Sequence, residues 1–316
     1  MANVSFEKSA DCQKFYAFLE TLFNGDDLLI EYIQKLCGYC LSGQTDDQGF
    51  YILLGDGANG KSTFLRVIQD VLGDYVAVVP SDALLARRSP GGVTPYLATL
   101  SGKRLVVLSE FNERDRLDEG RLKSLTGSDA ITANAKYKAP YTFIPQFKIL
   151  VATNHFPSVR GNDDGIWRRL KPVPFVNQFT GSSRIPNFHE QLLEEASGIL
   201  NYFLEGWKIY QATELKPPPA IISLIKIFRD EEDDIGQYLS LRMVQGSNEK
   251  SLLPDVYPNY CEWCRDEGVT PISKQHFQAE LRSRGFKIRR ATGNYVTIFG
   301  LSLDSEQSLS SLKQVV

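Results

Sequence analysis

Histidine is scarce in this chain: 316 residues include three, beside five cysteines. A metal centre built from these side chains would have few donors to draw on. The odd cysteine count argues against a disulfide framework. Two pairs do have the spacing of metal ligands, Cys37-Gly-Tyr-Cys40 and Cys261-Glu-Trp-Cys264. Each sits in an apolar-periodic stretch, where cysteine packs as a small hydrophobe, and packing is preferred over zinc. No apolar run reaches the roughly 18 residues of a membrane span. The N-terminal stretch holds Glu7, Lys8, Asp11 and Lys14 and no apolar core, so a secretory leader is not expected. The expected location is the cytoplasm of the host cell, with no membrane partner. Neither charge sign prevails: Lys and Arg number 35 against 38 Asp and Glu, a net charge of −3. Any contact with nucleic acid must therefore rest on local basic patches.

Hydrophobic residues make up 42% and charged residues 23%, enough apolar material for an ordinary buried core. Phe15, Phe18, Leu19 and Leu22, then Leu28, Leu29, Ile33 and Leu36, recur at helical spacing and predict one or two amphipathic helices over 12–43. Apolar runs at 49–54, 104–108 and 147–152 read as buried parallel strands, which gives an α/β sheet. A helix over 61–72 stops at Gly73. A further helical pattern from about Phe188 to Tyr210 is ended by Pro217-Pro218-Pro219, and the acidic run Asp230–Asp234 reads as a solvated boundary. Helical patterns over about 235–244, 252–266 and 274–284 precede strand-like runs at 286–290 and 295–299. Three helices and a hairpin make the layout of a winged-helix domain. The expected organisation is an N-terminal helical segment (1–48), an α/β core (49–180), a helical extension (181–232), a winged-helix-like domain (233–303) and a flexible tail (304–316).

One motif carries the chemistry. Gly55-Asp-Gly57-Ala-Asn59-Gly60-Lys61-Ser62-Thr63 follows the first strand and opens the helix after it. Glycines there let backbone N–H groups turn onto a β-phosphate at the positive end of the helix dipole. Lys61 would reach the β- and γ-phosphates, and the Ser62 hydroxyl would hold Mg²⁺. With glycine near 7% of residues, a chance match in a chain this long has a probability of about one in a hundred. The pattern implies ATP and Mg²⁺ as cofactors. A guanine-reading Asn-Lys-x-Asp is absent from the chain, which argues against a GTPase.

Two other strands end in polar groups suited to that site. Arg104-Leu-Val-Val-Leu-Ser-Glu110 places a carboxylate where Mg²⁺ or the attacking water needs one, with Glu113 a second candidate. Phe147-Lys-Ile-Leu-Val-Ala-Thr-Asn154 places an amide that can orient the water or sense the γ-phosphate. After it comes Asp163-Asp-Gly-Ile-Trp-Arg168-Arg169. Adjacent arginines are ordinarily surface charge, but in oligomeric phosphate-loop motors one at this point reaches the neighbouring subunit's nucleotide. Arg169 is the first choice and Arg168 the second.

Taken together, GDGANGKST (55–63), RLVVLSEFNE (104–113), LTGSDAITANAKYK (125–138), FKILVATNH (147–155) and DDGIWRRLKPVPF (163–175) resemble superfamily 3 helicases of the AAA+ class, in the branch joined to phage, plasmid and poxvirus primases. The resemblance implies an AAA+ core and an ATP-dependent replicative helicase. It further implies a ring, usually a hexamer, that translocates on single-stranded DNA and opens forked duplexes, with a primase or polymerase domain or partner. It puts a β-hairpin in the central channel with Lys136 at its tip, followed by Tyr137 and Lys138, gripping DNA. Many relatives carry two acids where this chain has Ser109-Glu110.

From Ser273 to Arg290 the chain carries Lys274, Arg282, Arg284, Lys287, Arg289 and Arg290 against one acid, Glu280. Arg289 and Arg290 on the wing are candidate DNA contacts, the alternative being a protein-docking face. An ATP-regulated origin-binding or scaffold protein without unwinding is the alternative function. Intact Lys61, Ser62 and Glu110 favour the enzyme.

Overall fold

The computed structural model describes residues 2–86, 95–113, 115–134, 139–159, 163–291 and 294–304. Lys136, Tyr137 and Lys138 lie outside the described residues. The chain divides into two compact units, Met1–Arg229 and Asp230–Val316.

The first unit opens with two helices, α1 (Gln13–Leu22) and α2 (Asp27–Leu41), separated at Asn24-Gly25. Asp26 starts the second by accepting a hydrogen bond from the Leu29 N–H at 3.0 Å. Strand β1 (Phe50–Leu54) leads through a glycine-rich turn into α3 (Lys61–Leu72), and β2 (Val76–Val79) and β3 (Leu105–Leu108) follow. Then come α4 (Glu119–Thr126), an antiparallel hairpin of β4 (Ile131–Ala133) and β5 (Tyr141–Phe143), and β6 (Lys148–Thr153). A single turn, α5 (Asp164–Trp167), precedes β7 (Leu170–Pro174). The five parallel strands lie in the order β2-β3-β6-β1-β7.

Alternation along the strands serves two cores. Tyr51, Leu53, Leu105, Val107 and Leu150 face the core shared with α1, α2 and α3, while Phe50, Ile52, Val106, Ile149 and Val151 face the one shared with α4 and α5. The sheet is thus covered on both faces, which is why its central strands read as continuous apolar runs. The last strand was not legible. It contains Pro172 and Pro174, and both fit because β7 is an edge strand needing fewer N–H donors.

Two helices, α6 (Phe188–Leu193) and α7 (Ala196–Thr213), replace the single one expected over 188–210. The three prolines do not end it: Glu214 does, at φ 60°, and Pro219 instead opens α8 (Pro219–Glu231). Helices α2 and α7 pack backbone to backbone. A Cβ on Gly38 would meet the Trp207 nitrogen at 2.1 Å, and one on Gly206 the Gln34 oxygen at 2.0 Å.

The second unit runs α9 (Asp234–Arg242), β8 (Met243–Leu252), α10 (Leu253–Asp266), α11 (Lys274–Ser283), β9 (Lys287–Arg290) and β10 (Val296–Leu303). Its sheet order is β8-β10-β9, antiparallel throughout. Strand β8 was not expected, because Val-Gln-Gly-Ser-Asn-Glu-Lys is polar and lacks alternation. Pairing with β10 creates it. Tyr238, Tyr260, Trp263 and Phe277 fill a separate core, with Tyr260 and Phe277 stacked at 4.5 Å. The acidic run is not simply solvated: Asp233 caps α9 through the Gly236 N–H at 3.0 Å and binds Arg284 at 2.6 Å.

Candidate functional site

The turn after β1 is built to hold its backbone open. Gly60, at φ 82°, ends it and caps α3, and a Cβ there would press on Leu22 at 2.6 Å. Ala58 also has a positive φ, 60°, which an L-residue adopts only at a cost of about 1–2 kcal/mol. The segment after β7 clasps the turn from outside. Asn59 Nδ2 donates to the Phe175 carbonyl at 3.1 Å, and the Phe179 N–H donates to the Ala58 carbonyl at 2.7 Å. At Gly55 a Cβ would lie 2.1 Å from the Phe175 oxygen, whereas Gly57 has open space around it.

Lys61 is the centre of the site. It is 6% exposed, and its ammonium donates to the carbonyls of Gly55 and Asp56 (3.0 Å) and to Oδ1 of Asn59 (3.0 Å) and Asn154 (3.1 Å). All four acceptors are uncharged. Burial lowers the Lys61 pKa, and the charges of Glu110 and Asp56 oppose that without touching it. Glu110 Oε1 in turn accepts the Asn154 N–H at 3.1 Å. Lys61, Asn154 and Glu110 therefore form a relay across the ends of β1, β6 and β3, which lie together because parallel strands end on one edge of the sheet. Ser62 is exposed and Thr63 half-buried in the first turn of α3. Ser109 Oγ accepts from the Ser81 N–H at 2.7 Å and is engaged in the fold. Glu113 is exposed beyond β3.

The two arginines lie at the other edge. Leu170 pairs with Phe50 and Pro174 with Leu54, so Arg168 and Arg169 stand at the beginning of β1 while Lys61 follows its end. One strand length of about 15 Å separates them. They also differ from each other. Arg169 is buried and bonded to Thr126 Oγ1 (3.2 Å), the Gly165 carbonyl and Gln48 Oε1 (2.8 Å). Arg168 is exposed, with a 3.1 Å bond to the same Gln48 oxygen. Gln48 carried no sequence signal. It sits at φ 54°, a turn position that only the folded chain reveals.

Arg289 and Arg290 are exposed on β9 of the second unit. The cysteine pairs occupy core positions: Cys37 and Cys40 are buried on α2, Cys264 is buried on α10 and Cys261 half-buried. Burial pushes the Cys40 thiol up to about 11 and raises that of Cys37, away from the thiolate that metals bind. No helix among the described residues is long and apolar enough to cross a membrane.

Residues 53–169 match a family of unknown function (DUF5906). The chain is 32% identical over 271 residues to "Putative helicase L207/L206" of Acanthamoeba polyphaga mimivirus, covering 79% of this chain and 28% of that protein. It is 26% identical to "Putative helicase 121R" of Invertebrate iridescent virus 3, over 72% of this chain and 24% of the relative. "Putative primase C962R" of African swine fever virus matches at 26% identity over 66% of this chain and 24% of the other. The chain spans about a quarter of the length of these relatives. Among solved structures, the C-terminal region of NrS-1 superposes with a TM-score of 0.61 at 13% identity, covering 95% of this chain and 77% of that one. That likeness extends the fold comparison beyond the matched family segment. The relatives named putative helicase or primase of large DNA viruses are consistent with a superfamily 3 type primase-helicase branch.

Proposed function

We propose that this chain is the ATPase module of a replicative DNA helicase. The observation that carries the reading is Lys61: a buried ammonium, contacted among the described residues by neutral oxygens, where three strand ends meet. A polyphosphate would supply the missing negative charge. The residues fit ATP with Mg²⁺. The turn N–H groups and Lys61 would bind the β- and γ-phosphates, and Ser62 with Glu110 would hold the metal. The bound nucleotide supplies the phosphoanhydride to be hydrolysed. Glu110 polarises the attacking water, and Asn154 positions Glu110 through its own backbone N–H. The order helix, strand, helix, helix, hairpin in the second unit supports the winged-helix reading, with Arg289 and Arg290 as DNA contacts.

An arginine one strand length from Lys61 cannot serve the nucleotide of its own subunit. It can serve a neighbour's, which supports a ring of subunits, the hexamer of the family resemblance. Arg168 is the better placed, because Arg169 spends its donors on three partners of its own chain. Arg169 then braces the turn from which Arg168 projects. In sequence, Lys136, Tyr137 and Lys138 fall between β4 and β5, and these would grip single-stranded DNA.

Steady-state turnover and nucleotide binding test the reading together. Lys61→Ala should lose both, with the fold intact. Glu110→Gln should keep binding and lose turnover by about 10²–10⁴-fold, the share a positioned base contributes. Near wild-type hydrolysis by Glu110→Gln would remove it from the mechanism. ATP binding without DNA-stimulated turnover would instead favour the scaffold reading.

A further inference from the structure

The sheet of the second unit has a face turned away from its core, and that face is organised. Ile298 and Leu301 both point inward, which is possible only because a bulge at Gly300 (φ 93°) interrupts the alternation of β10. Thr297 and Phe299 therefore take the opposite face. Cross-strand pairing lays down two rows there, Leu252–Thr297–Arg289 and Lys250–Phe299–Lys287. Lys250, Leu252, Arg289, Arg290, Thr297 and Phe299 line a depression of about 600 Å³. The guanidinium carbon of Arg289 lies 4.8 Å from the centre of the Phe299 ring. Lys250, Lys287, Arg289 and Arg290 form no ion pair among the described residues.

We infer that this open sheet face, rather than α11 alone, is a binding platform for single-stranded DNA. Its occupant must be anionic, since its charged rim is entirely cationic and unpaired. It must also present planar or apolar groups, since the floor is Phe299 under Arg289 with the half-exposed Leu252 beside it. A duplex shows its phosphates outward and keeps its bases stacked inside, so it would leave that floor unused. A single strand offers both, with phosphates to Lys250 and Lys287 and an unstacked base to the Arg289–Phe299 pair. Lys250 is the new member. It comes from β8, a strand without sequence signature, and joins the basic cluster only through its pairing opposite Phe299. The inference deepens the helicase reading by naming a second DNA contact in the other unit, but it does not need ATP hydrolysis to hold.

The test uses the full chain without nucleotide, binding fluorescent oligothymidylate or a blunt duplex of equal length across a salt series. Lys250→Ala with Lys287→Ala should flatten the salt dependence for the single strand by about 1.4, two phosphate contacts at roughly 0.7 each. Phe299→Leu keeps apolar volume but removes the ring, and should weaken single-strand binding roughly 5- to 100-fold, with Phe299→Tyr restoring it. Thermal melting of each variant identifies any loss that is only unfolding, and for such a variant Leu252→Lys, which should steepen the salt slope, gives the reading instead. An unchanged slope and affinity in folded variants would overturn the platform. So would a loss confined to the duplex. Because nucleotide is absent, a chain that failed to hydrolyse ATP would still give this result, and the two proposals fail separately.

Discussion

Lys148 shows what a single buried charge does to this fold. Its ammonium lies under the Tyr39 ring, 4.4 Å from the centroid, and donates to the carbonyls of Ser42 (2.7 Å) and Gln44 (3.2 Å). Burial lowers its pKa from the ordinary 10.5 to about 8. Between those values the unfolded chain holds more protons than the folded one, so stability must rise with pH across that window. Below about pH 8 the penalty of burying the charge is fully present; above 10.5 it is gone. Against Lys148→Met, which does not titrate, the unfolding free energy of the wild type should gain up to about 3 kcal/mol between these limits. Chemical denaturation of both proteins at pH 7, 9 and 10.5 measures it, and a constant difference would mean that the folded lysine titrates normally. The sequence placed Lys148 only as the second residue of an apolar strand. Its partners come from the loop after α2, about a hundred residues earlier, which no local pattern can reveal.

At the scale of elements, the α2–α7 contact is the most demanding. The two glycines leave no space for a side chain, and the nearest atoms are backbone, which cannot swing aside. Gly38→Ala or Gly206→Ala should therefore cost more than the about 1–3 kcal/mol of ordinary overpacking. A fall in the urea midpoint with unchanged slope would report it, and a variant as stable as wild type would mean that the helices can separate freely. The periodicity of α2 was legible, yet not which of its residues would meet another helix. The same division runs through the site. Strands β1, β3 and β6 and helix α3 were legible because burial on both sheet faces demands unbroken apolar runs, and the glycine-rich turn needs residues that are scarce elsewhere. Strands β2, β7 and β8 were not, being respectively very short, proline-bearing and polar. The inward turn of Arg169 was hidden as well, since two adjacent arginines look alike until Thr126 and the Gly165 carbonyl are brought to one of them.

For the whole molecule, the separate cores of the two units predict two unfolding transitions. ATP at a hundredfold excess over its dissociation constant should stabilise the first unit by about 2.7 kcal/mol and leave the second unmoved. Calorimetry with and without nucleotide decides this, and a shift of both transitions would show that the units unfold together. Assembly gives a second test. Mixing Arg168→Ala with Lys61→Ala subunits should restore some turnover, because certain interfaces then join an intact arginine to an intact lysine; confirmed mixed rings without recovery would count against a role across subunits. Finally, the strand order bears on synthesis. Strand β1 finds its two neighbours only in β6 and β7, so Leu54 waits for Thr153 and then Pro174. At a ribosome adding about 5–20 residues per second, the roughly 120 residues in between take some 6–24 s to appear. Phe-Tyr-Ile-Leu-Leu lacks both strand partners on the nascent chain until Thr153 appears and one of them until Pro174 does, an apolar segment that chaperones would shield and that truncation before β7 would leave with one edge open for aggregation.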